Sequence, residues 1–415
     1  MIDFKYPYTK IINLLLASIV PFLVVGPFIP DLIVSISSLF FLFYVIKNKK
    51  FYYFDNKFFF IFLFFWVIFI ISSLFSNDIF FSLKSSIFYF RIGVFSCLIW
   101  YLIEKDKSIL SYFYYSLVFT FLILVIDGYY QYFNGENILG YKKYGIRVAS
   151  FFNDELIMGS YLSRLFPLLF ALFLVKDKKR FESYLIGFLF ILVDVLIFIS
   201  GERTAFFFLN LSTIFIIILI KKYQIFRLIT FILGLICIFL LSLNSTNLTE
   251  RMVLEPLRSL NFLKSSANEK PIFFTKNHDS HIRTAFEMFK SNPVLGHGPK
   301  MFRKKCSDPQ YRFDFRSCTT HPHNFFIQLL AETGVLGFSY LFGCFFYVLY
   351  CAFRQIKSIV LKEERYLTDY QVSLLGAILI TVWPFSPNGN FFNNWLMIVY
   401  CLPVGFFLQS IYSKK

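Results

Sequence analysis

Long apolar segments dominate this sequence and restrict what the chain can fold into. Apolar runs of about 17 to 25 residues, long enough to cross a membrane as α-helices, recur along it. Twelve spans are predicted, near 11–29, 31–46, 58–75, 87–103, 109–127, 156–175, 184–200, 204–220, 228–243, 323–351, 372–388 and 393–412. Only 16% of residues are charged, against about 25% in soluble domains. An all-α, polytopic membrane protein is therefore predicted.

Basic residues indicate the direction in which the spans cross the membrane. Lys and Arg concentrate in alternate short loops, such as those around Lys49, Lys107 and Lys221. Cytoplasmic loops carry this excess of positive charge, so both termini are expected in the cytoplasm. The net charge of +16 is attributed to these anchoring loops, and nucleic-acid binding is not expected.

One long loop separates the ninth predicted span from the tenth. A single integrated domain is expected, with nine spans in 1–243, an outer loop with short helices in 244–322 and three spans in 323–415. The direction of the spans places this loop outside the cell membrane. Loops of this length usually carry function.

All five histidines of the chain lie in this loop or at the start of the tenth span. HIRTAFEMF, from His281 to Phe289, is typical of an amphipathic helix because its apolar residues recur at i, i+4 and i+7. LGHG is a glycine-flanked turn that carries His297, and HPHN places His321 and His323 where the tenth span begins. Ionisable groups at a membrane edge are costly to keep, so they indicate a functional site.

A polar stripe follows the last two histidines. Asn324, Gln328 and Glu332 recur at i, i+4 and i+8 and share one face of a helix. The stripe could line a substrate cavity or hydrogen-bond to neighbouring helices, and its spacing does not decide between them. His321 and His323 have no HExxH or CxxC companion, so no metal site is predicted.

Charged residues also occur within or beside the predicted spans, toward their outer ends. Arg91, Arg164 and Asp194 are expected to neutralise one another inside the helix bundle. Arg203 follows a tight turn before the eighth span, where its guanidinium could bind a phosphate with two nitrogens. Arg147, in the outer loop before the sixth span, is a further candidate for substrate contact.

Cysteine placement agrees with this topology. Five of the seven cysteines fall in apolar spans, where a thiol usually serves as a small buried hydrophobe. Cys306 and Cys318 both lie in the long outer loop. An oxidising compartment outside the membrane would let them pair, so a disulfide is predicted.

Four sequence blocks resemble, in order, those of the O-antigen ligase and polymerase superfamily. They are FFNDELIMGSYLSRLFPLL, SGERTAFF, HIRTAFEMFKSNPVLGHGPKMF and HPHNFFIQLLAETGVLGFSYLF. The resemblance covers roughly residues 150–415, and the first 150 residues match in hydropathy alone. It implies an inverting glycosyltransferase without metal or cofactor in the bacterial inner membrane. Such enzymes move a glycan from undecaprenyl pyrophosphate to an acceptor hydroxyl at the periplasmic face.

The resemblance also implies roles for individual residues. By block position, Arg203 and Arg283 contact the pyrophosphate and His323 is the essential histidine. The chemistry agrees, because arginines can neutralise the leaving group and a histidine with a pKa near about 6.5 can deprotonate the acceptor. The candidates for substrate binding are His297, His321, Asn324, Glu332 and Arg147.

Position favours His323 as the base over its neighbours. Its ring is expected to be held at the mouth of the helix that begins there. Pro322 biases the residue before it toward extended geometry, so His321 is expected to point elsewhere. Glu332 is expected to lie too deep, and Glu202 to be ionised but weakly basic beside an arginine.

The acceptor separates the functions that remain possible. Lipid A-core is favoured, which would make the protein an O-antigen ligase of lipopolysaccharide biosynthesis. A lipid-linked repeat would make it a polysaccharide polymerase, and a protein hydroxyl would make it a protein O-oligosaccharyltransferase. A flippase would also have twelve spans, but its class does not explain the histidine-containing outer loop. The expected partners are the lipid-linked donor, the lipid A-core or glycan acceptor and membrane lipids.

Overall fold

The computed structural model describes residues 6–176, 179–260 and 275–413, and this part of the chain is helical without strands. The first nine helices are α1 (Tyr6–Ala17), α2 (Ile19–Val25), α3 (Phe28–Lys47), α4 (Lys57–Leu74), α5 (Ile79–Ser86), α6 (Phe90–Lys105), α7 (Ser108–Asn134), α8 (Met158–Val175) and α9 (Arg180–Ile199). The others are α10 (Arg203–Leu219), α11 (Gln224–Asn244), α12 (Thr246–Thr249), α13 (Glu255–Leu260), α14 (Lys276–Ser291), α15 (Phe302–Lys305), α16 (Phe325–Val360), α17 (Asp369–Thr381) and α18 (Asn394–Tyr412). The all-α prediction is confirmed.

Nine helical segments among the described residues are long and apolar enough to cross a membrane. The other three predicted spans fall on shorter apolar helices, Thr9–Val25, Arg203–Leu219 and Asp369–Thr381. Large apolar side chains such as Phe28, Phe40 and Phe133 lie exposed on these helices, as lipid-facing residues do, since hydrocarbon is their preferred surroundings. The protein is therefore a multi-pass membrane protein.

Helix α8 lies at the centre of the bundle and packs against α7, α9, α10, α17 and α18. Nearly every side chain from Met158 to Leu174 is buried. The helix contains Pro167, which membrane helices tolerate because neighbouring groups satisfy the freed carbonyl. Arg164 on this central helix therefore lies close to the loops at the ends of the neighbouring helices.

Helix α16 is interrupted at Gly334, whose φ of 64° and ψ of −165° are not helical. The outer loop docks into the interruption: Gly298 N–H donates to the Glu332 carbonyl at 2.7 Å, and Val335 N–H donates to the Pro293 carbonyl at 2.8 Å. A side chain at Gly334 would overlap the backbone of the docked loop. The predicted span 323–351 is thus a helix with a break near its outer end, and the break fixes the loop to the bundle.

The charges inside the bundle are neutralised differently from the prediction. Asp194 pairs with Arg227 at 3.0 Å, and both side chains are almost completely buried. Arg91 pairs with Asp31, while Arg164 donates to the Ile380 carbonyl at the end of α17 and to Asn388 in the loop that follows. The expected mutual neutralisation of Arg91, Arg164 and Asp194 is therefore wrong, because helix packing brings other partners closer. Removing one member of the buried Asp194–Arg227 pair would cost about 3–5 kcal/mol.

Candidate functional site

Asn324 fixes the outer end of helix α16. Its side chain accepts the backbone N–H of Ile327 at 3.1 Å, which caps the helix and satisfies one of its first N–H groups. The same amide donates to the carbonyls of Pro384 (2.8 Å) and Ser386 (3.1 Å) in the loop between α17 and α18. The cap thus holds the helix mouth against that loop, so Asn324 is occupied within the protein.

Four of the five histidines converge at this helix mouth. The ring centre of His323 lies 4.2 Å from that of His321, 5.1 Å from that of His278 and 5.4 Å from that of His281. His278 and His281 come from α14, which packs against α16. We call these four residues the histidine cluster, and His323 lies at its centre.

His321 points into the cluster, so the expectation that it points elsewhere is wrong. His323 has a positive φ of 56°, a left-handed conformation that is uncommon outside glycine. This conformation turns the His-Pro-His segment back on itself and brings the two rings together. Strained backbone of this kind is often found at functional sites, where the surrounding structure maintains it.

Burial lowers the pKa of every histidine in the cluster. The pKa of His323 is lowered to about 3, by burial first and then by His321, His278 and His281. Burial also lowers the pKa of His321 and His278 to about 4 each. At neutral pH these imidazoles are therefore uncharged, and a neutral imidazole has one nitrogen lone pair that can accept a proton.

We expect the histidine cluster to make the folded protein sensitive to acid. A histidine whose pKa is lowered by folding stabilises the fold above its unfolded value near 6.5, and this stabilisation is lost as the pH falls toward the folded value of about 4. His278→Gln cannot titrate, so its melting temperature should fall less than that of the wild type between pH 7 and pH 5. Thermal unfolding in detergent at both pH values measures this. Equal decreases in the two proteins would contradict the burial of His278.

The loop between α17 and α18 supports the cluster from the bundle side. The backbone N–H of Asn388 donates to the His323 carbonyl at 2.8 Å. The backbone carbonyl of Asn388 lies 3.3 Å from Nε2 of His321. Arg164 donates to the Asn388 side-chain oxygen at 3.0 Å and to the carbonyl of Ile380. Arg164 therefore positions both histidines through Asn388.

Gln328 and Glu332 continue the polar stripe inward and bond to protein groups. Gln328 Nε2 donates to Glu332 and to Asn390, at 2.9 Å each. Glu332 also accepts the N–H of Phe302 at 3.0 Å. The stripe therefore connects α16 to the outer loop and to the α17–α18 loop. Glu332, a candidate for substrate binding, is buried with these partners.

His297 lies outside the histidine cluster. Its Nε2 is 2.9 Å from both the Met288 carbonyl and the Ser291 hydroxyl, and its ring packs edge-on against Tyr311. Next to it, Gly296 has a φ of 66°, and a side chain there would overlap the backbone of Glu332. These contacts indicate that His297 holds the docked loop in place.

A second group of charged residues surrounds the turn between α9 and α10. Arg203 is the first residue of α10 and pairs with Glu255 of α13. Arg251 donates through Nε to the Gly201 carbonyl at 2.9 Å, and Arg147 lies against the same glycine. We call Arg147, Arg203 and Arg251 the arginine cluster.

Two of these arginines have donors that no protein group in the described structure uses. Nε of Arg147 and Nε of Arg203 are buried without a hydrogen-bond partner among the described residues. Burial lowers the pKa of Arg147 and Arg251, and repulsion from neighbouring arginines lowers it further. An anion placed here would relieve this repulsion and accept the buried donors.

Glu202 is held by the start of α8. Its carboxylate accepts the N–H groups of Gly159 at 2.6 Å and Ser160 at 3.0 Å, and the Ser160 hydroxyl at 2.7 Å. Burial raises the pKa of Glu202 and these hydrogen bonds oppose the rise, whereas the sequence predicted a weakly basic carboxylate. All these bonds are within the protein, so Glu202 serves to position the turn before Arg203.

Arg283 lies on the same helix as two members of the histidine cluster. It pairs with Asp279 at 2.7 Å, and its guanidinium lies 5.2 Å from the ring centre of Phe313. Helix α14 thus holds the predicted pyrophosphate ligand Arg283 two residues after His281.

Arg164 connects the regions of the two clusters through the core. Its guanidinium lies 4.5 Å from the ring centre of Phe208, in the second turn of the helix that Arg203 begins. On its other side it bonds to Asn388, which contacts both His321 and His323. The helix that starts at Arg203 and the base of the histidine cluster are therefore braced by one buried side chain.

Cys306 and Cys318 are joined by a disulfide, with their Cα atoms 5.1 Å apart. Cys306 packs in a small core of the outer loop with Met288, Phe302 and Tyr311. Closing a loop of this length contributes at most about 3 kcal/mol to the free energy of unfolding.

In the described part of the chain no group of three or more His, Cys, Asp or Glu side chains is arranged to hold a metal ion.

The sequence placed His278 and His281 in the histidine-containing segment without giving them a role, and it gave no indication of Asn388 or Arg251. His278 and His281 are three residues apart, a spacing that puts both on one face of a helix and could have indicated them. Asn388 and Arg251 lie in segments without a recognisable motif, so no local signal was available for either.

A comparison with protein families covers most of the residues that build the two clusters. Residues 186–342 match a family model described as O-antigen ligase. This segment contains Arg203, Arg251, Arg283 and all the histidines, and the predicted resemblance is confirmed over it. No curated protein matches the chain. The family match supports a membrane glycosyltransferase of the ligase and polymerase type that acts on lipid-linked glycans.

Proposed function

We propose that the protein transfers a glycan from undecaprenyl pyrophosphate to the hydroxyl of lipid A-core, with inversion at the anomeric carbon and without a metal ion. The observation that carries this proposal is the cluster of four uncharged histidines at the mouth of α16. It supplies a base, and Arg283 lies on the same helix as His278 and His281. A base for the acceptor and a cation for the leaving group are two requirements of this transfer.

In the proposed reaction, the acceptor oxygen attacks the anomeric carbon of the first sugar. The bond from that carbon to the phosphate oxygen breaks, undecaprenyl pyrophosphate leaves, and the acceptor proton passes to His323. The low pKa of His323 keeps it unprotonated before the reaction. The negative charge of the bound pyrophosphate favours the imidazolium that forms, so the pKa rises when the donor is present.

Arg203 and Arg283 bind the pyrophosphate in this proposal, and Arg147 contributes from the loop before α8, where it packs against Gly201. The unused buried donors of Arg147 and Arg203 support this assignment. The pyrophosphate gains one negative charge as it leaves, and fixed guanidinium groups stabilise such charge better than mobile water does. His321 positions His323, because its ring contacts both Asn388 and the His323 ring.

We further propose twelve spans in the inner membrane, with both termini in the cytoplasm, membrane segments 1–243 and 323–415, and segment 244–322 in the periplasm. Each segment that contributes to the two clusters follows an odd-numbered predicted span. Because successive spans cross the membrane in opposite directions, all these segments lie on the same side of the membrane. The disulfide between Cys306 and Cys318 fits an oxidising periplasm.

Reconstitution with defined acceptors tests the proposed function. The purified protein is placed in vesicles with a lipid-linked glycan donor and either lipid A-core or a second lipid-linked glycan. Glycosylated lipid A-core is the expected product. Lengthened lipid-linked glycan alone would identify a polymerase instead, and product in neither reaction would contradict the glycosyltransferase assignment.

A further inference from the structure

A small cavity lies on the outer side of the bundle, between the start of α6, the start of α18 and the outer loop. Its volume is about 120 Å³, and its lining includes Lys84, Arg91, Lys300, Asn394, Phe88 and Tyr89. We call it the basic cavity. It contains none of the residues of the histidine and arginine clusters.

Three cations surround this cavity and one nearby carboxylate partly balances them. Asp31 pairs with Arg91 and accepts from the Asn394 amide at 3.2 Å, so it orients both side chains. Nε of Arg91 is buried and has no hydrogen-bond partner in the described part of the chain. The cavity therefore has excess positive charge and an unused donor, as expected where an anion binds.

Lys300 reaches the cavity through an unusual backbone conformation. Its φ is 63°, and left-handed geometry at a residue with a long side chain is uncommon. Two residues earlier, Gly298 has a φ of 104° and packs so closely on Ser76 that a side chain would not fit. Burial lowers the pKa of Lys300, and Arg303 lowers it further. The constrained loop thus holds the Lys300 ammonium group at a place where its charge is unfavourable unless an anion binds beside it.

The cavity is separate from the histidine cluster but is connected to it along α16. Glu332 acts electrostatically on Lys300 and bonds to Phe302, two residues further along the loop. Helix α16 begins at Phe325, and the rise to Glu332 is about 10 Å at 1.5 Å per residue. A molecule that contacts both places would therefore extend over a length of this order.

We propose that the basic cavity binds a phosphate group of the acceptor glycolipid while the acceptor hydroxyl lies at His323. The inference rests on the proposed function, in which the acceptor is a lipid with a sugar core. Lipid A carries phosphate groups on its sugars, and Lys84, Arg91 and Lys300 supply the donors that a phosphate requires. The donor pyrophosphate is assigned to Arg147, Arg203 and Arg283, which leaves this cavity for the other substrate.

Binding of lipid A-core to the full-length protein tests this inference. Dissociation constants are measured in nanodiscs without donor, for lipid A-core and for the same lipid after phosphatase treatment. Lys84→Gln with Lys300→Gln should weaken binding of lipid A-core by about tenfold or more, because charged hydrogen bonds are lost. The dephosphorylated lipid should bind weakly and equally to wild type and variant. Lys290→Gln is the matched control, since Lys290 is exposed and pairs with Glu287.

Several results would overturn the inference. Equal weakening for both lipids would show that the lysines only support the fold, and unchanged binding would show that the cavity takes no acceptor phosphate. Weaker binding of phosphatidylglycerol with unchanged lipid A-core binding would assign the cavity to a membrane phospholipid. The single variant Lys84→Gln, at an exposed position, shows the same pattern more weakly if Lys300→Gln impairs folding.

Failure of the proposed function is separately visible. If lipid A-core binds in a phosphate-dependent way but receives no glycan, the ligase assignment is contradicted and the cavity assignment stands. If glycan is transferred equally well to both forms of the lipid with the same KM, the ligase assignment stands and the cavity assignment is contradicted.

Discussion

Replacing His323 by Gln or Asn is expected to lower the rate of glycan transfer by about 10²–10⁴, the usual contribution of a general base. Either amide can still form hydrogen bonds at the helix mouth, but neither can take up the acceptor proton at neutral pH. Initial rates of transfer in vesicles, with membrane insertion checked by fluorescence-detected chromatography, measure the effect. Near-normal rates in both variants would show that His323 serves only the structure.

The neighbouring histidines provide matched controls for this prediction. His321→Ala should retain measurable transfer, because His321 contacts Asn388 and supports the His323 ring from the side. His297→Gln should keep most activity, since the amide can replace its bonds to Met288 and Ser291 inside the loop. An inactive His321→Ala with an active His323→Gln would move the base to His321.

Arg203→Ala and Arg283→Ala are each expected to abolish transfer while membrane insertion stays normal. The leaving pyrophosphate would lose a guanidinium that stabilises its charge, an effect of several kcal/mol at a preorganised site. Lys at either position should restore little activity, because an ammonium group lacks the planar pair of donors. Donor KM and kcat are measured for all four variants in vesicles.

Arg354→Lys is the control for a general effect of arginine loss. Arg354 lies on the exposed far part of α16 and bonds to the Tyr350 hydroxyl, so activity should be unchanged. A double variant with Lys at both 203 and 283 and near-normal turnover would contradict the pyrophosphate assignment.

Arg251→Lys, in the arginine cluster, should raise the donor KM more than it lowers kcat, because Arg251 also fixes the Gly201 carbonyl.

The helical architecture was accessible from the sequence because membrane helices depend on local properties. A run of apolar residues must form a helix in hydrocarbon to satisfy its backbone, whatever lies beside it. Nine predicted spans therefore coincide with helices of full membrane length, and the amphipathic segment after His281 coincides with α14. The ordered blocks around Arg203 and His323 likewise sufficed to indicate the family that matches residues 186–342.

Pairings between distant segments could not be read from the sequence in the same way. Asp194 pairs with Arg227, 33 residues away, although the sequence offered Arg91 and Arg164 as equally suitable partners. Any of these arginines could neutralise a buried carboxylate, so charge alone does not choose among them. Helix packing decides, because α11 packs against α9 and brings Arg227 to Asp194.

The site shows the same division between local pattern and tertiary contact. The sequence by itself determined where the long apolar helices run and that His323 stands at the start of one, and it predicted which residues carry the chemistry, since composition and motif order are properties of the chain. Only the tertiary structure decided that His278, His281 and His321 join His323, that the outer loop docks at the break in α16, and that Arg251 joins Arg203. The first two arrangements depend on left-handed backbone at His323 and Gly334, which the surrounding structure maintains and local sequence does not predict.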